Sequence, residues 1–180
     1  MEQFRHIRSS GDILPEYRNT PVGLFLEYHN LNKPFADYSS PQLLIGFCMD
    51  YRKSLRIPEN FAYIMRTGGA NLKGKEFNIS YAIGVGNIRY IALIGHNRCG
   101  MSNIKTHRED FVNGMVKNAG WTQKKADAYF DEETPKYEIG NEVEFIRNEV
   151  KRLRALYPAI VISPLYYFLN DNSISQIIEE

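Results

Sequence analysis

Both cysteines of the chain stand at the ends of apolar runs. Cys48 ends the run LLIGFC, and His96 and Cys99 follow the run RYIALIG. Thiolate and imidazole are ligands that favour zinc, and a three-ligand tetrahedral site leaves its fourth position open for chemistry. Cys99 follows His96 by three residues, so both side chains reach one side of a turn. These residues predict a catalytic metal site, with buried inert thiols as the alternative.

Two charged residues follow Cys48 at alternate positions, Asp50 and Arg52. An extended segment would point both in the direction of the cysteine, where they can form a bidentate pair. Two thiolates cancel the formal charge of zinc, so the metal should acidify its bound water less strongly. A carboxylate that accepts a hydrogen bond from this water would compensate by favouring loss of its proton. We expect Asp50 to orient that water and Arg52 to keep Asp50 ionised. Two alternatives stay open: a structural ion pair, and an Asp50 that itself fills the fourth place.

The order of apolar runs and helical patterns indicates the elements that position these residues. Runs at 43–48, 61–66 and 89–96 predict buried strands, and the apolar pattern of 77–86 predicts a packed helix before the third. This order of strands and helices is typical of a parallel sheet. Ligands gather beyond the carboxyl ends of such strands. Cys48 and His96 would then lie close together if their strands, about 5 Å apart, are neighbours.

The C-terminal part of the chain adds a helix and further strands. Apolar residues recur at spacings of three and four from 141 to 157, which predicts a helix that Pro158 ends. AIVIS then predicts a fourth buried strand, and LYYFLNDNS an edge strand. The predicted fold is α/β, with a mostly parallel four-stranded sheet plus an edge strand, flanked by helices in a single domain.

The N-terminal segment and the bulk composition narrow the classes of function. Residues 1–39, with helical structure near 21–31, are expected to form an accessory arm beside a site domain at 40–180. The 180 residues carry 22 Lys plus Arg against 21 Asp plus Glu, which argues against nucleic acid or anionic membrane as partners. No apolar run approaches the roughly 20 residues that span a bilayer, and the first residues, MEQFRHIRSSGD, lack the apolar stretch of a secretory signal. A cytoplasmic location and reduced cysteines are therefore expected.

Several motifs together resemble one known family. CMDYR at 48–52 followed by HNRCG at 96–100 is similar to the zinc signature of the β-class carbonic anhydrases, particularly their short prokaryotic forms. IMRTGG at 64–69 resembles the Arg-Asn-Ala-Gly loop of that family. NEVEFIRNEVKRLR and IVISPLYYFLNDNS resemble its closing helix and strand. The similarity extends over roughly residues 40–175.

This resemblance implies an activity and a set of roles. It implies reversible hydration of carbon dioxide to bicarbonate by a zinc-bound hydroxide, in a homodimer or larger homo-oligomer. The ligands would be Cys48, His96 and Cys99, and the catalytic dyad would be Asp50 with Arg52. Backbone groups around two glycines would face the substrate, Gly69 and Gly100.

Two departures from the family pattern keep other functions open. Thr67 and Gly68 stand where the family commonly has asparagine and alanine, and the usual His-Gly before the last strand is missing. One alternative is therefore a hydrolase of carbon disulfide or carbonyl sulfide on the same zinc site. Another is a non-catalytic zinc protein with Asp50 as the fourth ligand. A dithiol switch formed by Cys48 and Cys99 is the remaining alternative.

Overall fold

The computed structural model describes residues 3–179 as a sheet with helices on both faces. The six strands are β1 (Phe4–Arg5), β2 (Leu43–Cys48), β3 (Ala62–Thr67), β4 (Tyr90–His96), β5 (Val161–Phe168) and β6 (Ser173–Ile177). The five α-helices are α1 (Pro21–Asn30), α2 (Glu76–Gly84), α3 (Arg108–Ala119), α4 (Gln123–Tyr137) and α5 (Glu142–Leu156).

The sheet has the strand order β1-β6-β5-β4-β2-β3. Strands β3, β2, β4 and β5 are parallel, which confirms the predicted four-stranded parallel core. Strand β6 pairs antiparallel with β5, and the two-residue β1 pairs antiparallel with β6. The α/β class is confirmed, while the sheet carries one antiparallel strand more than the sequence predicted.

The C-terminal strands are divided differently from the prediction. Residues of LYYFLNDNS were expected to form a separate edge strand, yet β5 runs without interruption from Val161 through Pro164 to Phe168. The described pairing with β6 begins at Leu165, immediately after the proline, whereas the pairing with β4 includes it. Proline can therefore sit inside a central strand here because the antiparallel ladder starts just beyond it. The antiparallel strand is β6, at Ser173–Ile177.

Two hydrophobic cores lie on the two faces of the sheet. On one face, α1 packs against β2, β4 and β5 and buries Phe25 and Leu26 completely. On the other face, α2 and α5 pack against the same strands. The predicted helix at 77–86 is present, and it buries Ile79 and Ala82, but Phe77 is 81% exposed and does not pack as predicted. The division between residues 39 and 40 stays a prediction.

Helix α5 begins and packs as its sequence indicates. The Asn141 side chain accepts hydrogen bonds from the backbone N–H groups of Val143 and Glu144, which caps the helix. The helix then lies close to β4 at Gly95, where an added Cβ would come 2.7 Å from Ile146 Cγ1. A larger residue at 95 would therefore push α5 away from the strand that carries His96.

Helices α3 and α4, which lie in the chain between β4 and α5, pack on each other. Gly120 ends α3 in the left-handed conformation, with φ of 68°, which explains why glycine stands at this boundary. Among residues 3–179, every helix is too short or too polar to cross a bilayer.

Candidate metal centre

The structure brings the three predicted ligands together at the carboxyl end of the sheet. Cys48 is the last residue of β2, His96 is the last residue of β4, and Cys99 lies in the turn that follows. Strands β2 and β4 are direct neighbours, as the site required. The ligand atoms of the three residues all lie within 4.8 Å of one another, and all three residues are buried. The arrangement can hold one metal ion.

The spacing of the two sulfur atoms suits tetrahedral zinc. Cys48 Sγ and Cys99 Sγ are 3.9 Å apart, and both cysteines are free. Two sulfurs that each lie about 2.3 Å from one tetrahedral ion are separated by about 3.8 Å. A disulfide needs an S–S distance of about 2.05 Å. The sulfurs therefore stand at the separation of shared ligands, well beyond that of a bonded pair.

His96 presents one ring nitrogen to the sulfurs and uses the other to hold its orientation. Its Nδ1–H donates to the backbone carbonyl of Asn97 at 2.9 Å, which sets the tautomer with a lone pair on Nε2. Nε2 is buried and has no hydrogen-bond partner within residues 3–179. A buried nitrogen without a partner is costly unless a ligand completes it. Metal-binding histidines use this same division of their two nitrogens.

The two sulfur atoms lie close enough for one thiol to donate a hydrogen bond to the other. The hydrogen bond from Cys99 lowers the pKa of Cys48, with smaller contributions from His96 and the Lys53 charge. The same bond, together with burial, raises the pKa of Cys99. The pKa values of the two thiols thus shift in opposite directions. A bound divalent cation would lower both, because it stabilises both thiolates at once.

Asp50 and Arg52 form the predicted ion pair in the loop after β2. Arg52 Nε donates to Asp50 Oδ1 at 3.0 Å, Arg52 Nη2 donates to Oδ2, and the Arg52 backbone N–H also donates to Oδ1 at 2.9 Å. These hydrogen bonds, led by the Arg52 side chain, hold the pKa of Asp50 well below its usual range. Asp50 is outside the group of three ligands in this structure. Its role beside a metal, or as a fourth ligand, stays a prediction.

The pair is tied to the loop that carries the other two ligands. Arg52 Nη2 donates to the backbone carbonyl of Arg98 at 3.0 Å, and Arg98 lies between His96 and Cys99. Arg98 has a positive φ of 54°, and its side chain donates to Asn170 Oδ1 at 3.0 Å. The sequence analysis did not find Arg98. Nothing in the HNRC motif indicates a left-handed backbone at an arginine.

Arg66 braces the loop after β2. Its Nε donates to the Cys48 carbonyl at 3.3 Å, and its Nη2 donates to the Asp50 carbonyl at 3.2 Å. These bonds link β3 to the backbone on both sides of Met49. Arg66 therefore helps to hold the first ligand and the acid of the ion pair in register.

The two glycines predicted to face substrate differ in their surroundings. Gly69 has a φ of 63°, and an added Cβ would lie 2.8 Å from Ile139 Cγ2, so only glycine fits without strain. Gly100 is exposed, and an added Cβ would find no atom within 4 Å. Contact of either residue with a substrate stays a prediction.

The loop after Cys99 is anchored by residues that sequence reasoning missed. The Cys99 backbone N–H donates to Glu142 Oε1 at 3.3 Å, and the Ile139 N–H donates to the Met101 carbonyl at 2.9 Å. Ile139 lies in the segment that joins α4 to α5, and Glu142 is the first residue of α5. Their only signal in the sequence is the position of Glu142 in the first turn of α5, where an acidic residue also has a helix-dipole explanation.

An apolar cavity of about 280 Å³ is lined in part by the loops that follow β2, β3 and β4. Its wall includes neighbours of the ligand and glycine positions, namely Met49, Gly68 and Met101. Phe111 and Phe130, from α3 and α4, contribute aromatic rings to the same wall. A cavity of this character admits small apolar molecules more readily than ions.

No protein-family model matches the sequence, and no curated protein sequence matches it. Solved structures do match. The β-carbonic anhydrase isoform I of Trichomonas vaginalis is 20% identical over 87% of this chain and 92% of its own, with a TM-score of 0.64. The carbonic anhydrase of Glaciozyma antarctica is 21% identical over 92% and 96%, with a TM-score of 0.60. A carbon disulfide hydrolase in its apo form is 15% identical over 78% and 82%, with a TM-score of 0.54. The chain therefore has the fold of the β-class carbonic anhydrases.

Proposed function

We propose that the protein binds zinc through Cys48, His96 and Cys99 and catalyses the reversible hydration of carbon dioxide to bicarbonate. The observation that carries this proposal is the convergence of two sulfurs and one unpartnered imidazole nitrogen within 4.8 Å. Three protein ligands leave a tetrahedral ion with one open position, which is the arrangement of catalytic zinc sites.

Zinc would supply Lewis acidity that lets water ionise near neutral pH. The protein's contribution is to position the groups around it. The Asn97 carbonyl fixes the His96 ring, and the Glu142 carboxylate holds the Cys99 backbone. These contacts keep the donor atoms in one geometry, so that little reorganisation is needed when the metal binds.

Asp50 is proposed to accept a hydrogen bond from the reacting water. Arg52 keeps Asp50 ionised and turns the carboxylate into a fixed orientation through two side-chain bonds. Each carboxylate oxygen has more than one lone pair, so Asp50 retains acceptor capacity beside Arg52. The hydrogen bond from Arg52 to the Arg98 carbonyl links this acceptor to the ligand loop.

The apolar cavity at the loops after β2, β3 and β4 supports a small, uncharged substrate. Carbon dioxide is linear and has no net charge, so the wall of Met49, Met101 and Phe130 does not oppose its approach. Bicarbonate is charged, and its transfer into an apolar cavity is costly. This difference favours release of the product toward water.

Hydrolysis of carbon disulfide or carbonyl sulfide is the second candidate. The same apolar wall favours these less polar molecules at least as much, and the fold is shared with a carbon disulfide hydrolase. A non-catalytic protein with Asp50 as fourth ligand would require Asp50 to move toward the other ligands, because it lies outside their group in this structure.

A homodimer or larger homo-oligomer is also proposed, and a cytoplasmic location remains an expectation from the sequence. An apolar surface on α2 and the outer strand β3 supports self-association, because such patches mark interaction sites. Gly86, just after α2, lies against the Tyr63 ring of β3, so the two elements form one surface. Its exposed members are Tyr63, Phe77, Tyr81 and Val85.

Stopped-flow carbon dioxide hydration by protein of measured zinc content tests the proposed function. We expect turnover that requires zinc and disappears in a zinc-free control. Release of hydrogen sulfide from carbon disulfide or carbonyl sulfide, without carbon dioxide hydration, would replace the first candidate by the second. A zinc-loaded protein that turns over none of the three substrates would contradict both.

A further inference from the structure

Lys53 is a buried charged side chain without a partner. It is 4% exposed, and its Nζ makes no hydrogen bond or salt bridge within residues 3–179. Glu149, which is equally buried, is paired with Arg152 and with a backbone N–H. A buried ammonium without a partner is strongly unfavourable. A group bound beside Lys53, or a modification of its amine, would remove the unfavourable free energy of the buried charge.

A cavity of about 150 Å³ lies beside Lys53 and Phe47. Its wall is formed mostly by aliphatic and aromatic side chains together with Lys53 and Arg66, and it contains no carboxylate. Lys53 Nζ lies 5.0 Å from the centroid of the Phe47 ring, and Arg66 Cζ lies 5.2 Å from the same centroid. Because one water occupies about 30 Å³ of liquid, the cavity has room for a group of a few heavy atoms.

Arg66 is exposed at this cavity and still has donors to offer. Its Nε and Nη2 are used by backbone carbonyls of the loop after β2. Within residues 3–179, no hydrogen bond from Arg66 Nη1 is found. A planar guanidinium with a free edge is well suited to a carboxylate. The cavity thus combines two cationic groups with no anion.

The surroundings of Lys53 also make its amine easier to deprotonate. Burial lowers the pKa of Lys53, and the charge of Arg66 lowers it further, while Cys48 and Asp50 oppose the shift. A neutral lysine amine is a nucleophile, and burial is how proteins make lysines reactive. An electrophile that turns this amine into an anion would remove the unpaired cation and give Arg66 a partner.

We propose that Lys53 is a carbamylation site, whose amine adds carbon dioxide and whose carbamate is held by Arg66. The nitrogen lone pair forms the new N–C bond, one C=O π pair becomes a lone pair on oxygen, and one N–H proton passes to the solvent. No oxidant or reductant is needed. Neither Lys53 nor Arg66 is among the three candidate metal ligands, so the adduct on Lys53 can be detected directly on that residue. Its test therefore does not depend on turnover.

The test is covalent trapping in the full-length, zinc-loaded protein. The protein is incubated with ¹³C-labelled bicarbonate in equilibrium with carbon dioxide, treated with triethyloxonium to convert carbamates to stable esters, and mapped by peptide mass spectrometry. Lys73, which is exposed, serves as the reference lysine. We expect at least about tenfold more label at Lys53 than at Lys73. Absence of label at Lys53, or equal labelling of both lysines, would overturn the proposal.

Two variants and a spectroscopic measurement sharpen this test. Lys53→Gln should abolish the ¹³C carbamate resonance, whereas Lys73→Gln should leave it unchanged. Arg66→Gln should lower the occupancy of Lys53 because the carbamate loses its partner. Labelled bicarbonate bound in the cavity without an adduct on Lys53 would also refute the proposal. If Lys53→Gln does not fold, the peptide map of the unaltered protein decides the question alone.

Discussion

Two arginine–carboxylate pairs of this protein have the same chemistry and different surroundings. Arg152 makes two hydrogen bonds to Glu149, and Glu149 is 2% exposed. Glu149 also accepts the backbone N–H of Leu72, and Arg152 reaches Glu76 on α2. This pair joins α5, α2 and the segment before α2. It is a structural connection in the core.

The second pair, Asp50 with Arg52, lies where the parallel strands end. Asp50 follows the proposed ligand Cys48 by two residues, and Arg52 reaches the Arg98 carbonyl between the proposed ligands His96 and Cys99. The Arg52 side chain is 39% exposed, against 11% for Asp50, so this pair is open to water on one side. The comparison teaches that position decides the role. An acceptor at the open end of a sheet can take part in chemistry, whereas the same acceptor under a helix can only hold the fold together.

The largest expected effect comes from the proposed zinc ligands, which lie beside the Asp50–Arg52 pair only. Cys48→Ser or Cys99→Ser should reduce bound zinc from one ion per chain to nearly none, because a serine hydroxyl is a poor zinc ligand. Hydration activity should be lost with the metal. Zinc content by elemental analysis checks this result, and stoichiometric zinc in either variant would exclude that cysteine as a ligand.

The next largest effect is a difference in hydration rate between variants of the Asp50–Arg52 pair and of the Glu149–Arg152 pair. Asp50→Asn keeps the size of the side chain and removes its charge, so zinc should be retained while hydration per bound zinc falls by about 10²–10⁴-fold. Glu149→Gln is the matched control, and its rate per zinc should stay within about threefold of the unaltered protein. Equal losses in the two variants would show that Asp50 has no special role.

A third prediction reverses the order when stability is measured. Glu149→Gln should lower the free energy of unfolding by about 2–3 kcal/mol, below the value for a fully buried pair because the Arg152 side chain is 30% exposed. Asp50→Asn should lower it by about 1 kcal/mol or less, as for other pairs open to water. Urea denaturation of the zinc-loaded proteins measures both. A larger loss for Asp50→Asn would contradict the assignment of the two roles.

The smallest effect is the pH dependence of the Asp50 pair. Arg52 lowers the pKa of Asp50, so the folded state binds the proton less readily than the unfolded state. This contribution to stability is fully present above the unfolded pKa of about 3.9 and declines as pH falls below it. The stability difference between Asp50→Asn and the unaltered protein should thus be constant from pH 6 to 9. A difference that grows across this range would mean that Asp50 titrates there.

The parts of the fold that local patterns determine could be predicted from the sequence. Continuous apolar runs identified β2 and β4, and three-and-four spacing identified α5. The convergence of Cys48 and His96 was predicted on the condition that their strands are neighbours, and the pairing of β2 with β4 confirms that condition. These predictions need only one segment or one rule of topology.

The features that the sequence did not reveal depend on contacts between distant segments. Pro164 is tolerated in β5 because the ladder to β6 begins one residue later, which no local rule can show. The burial of Lys53 and the positive φ of Arg98 likewise depend on neighbours from other strands and loops. Phe77 is exposed although the helical pattern places it with the apolar residues. A contact between chains would bury such an exposed apolar residue, and the sequence of one chain does not show that contact.

X-ray absorption at the zinc edge, on protein of known metal content, tests the central claim most directly. The account predicts two sulfur ligands at about 2.3 Å and one imidazole nitrogen at about 2.0–2.1 Å. A light oxygen ligand should complete the shell. Zinc bound with fewer than two sulfurs, or a folded protein that retains no zinc, would contradict the site made by Cys48, His96 and Cys99.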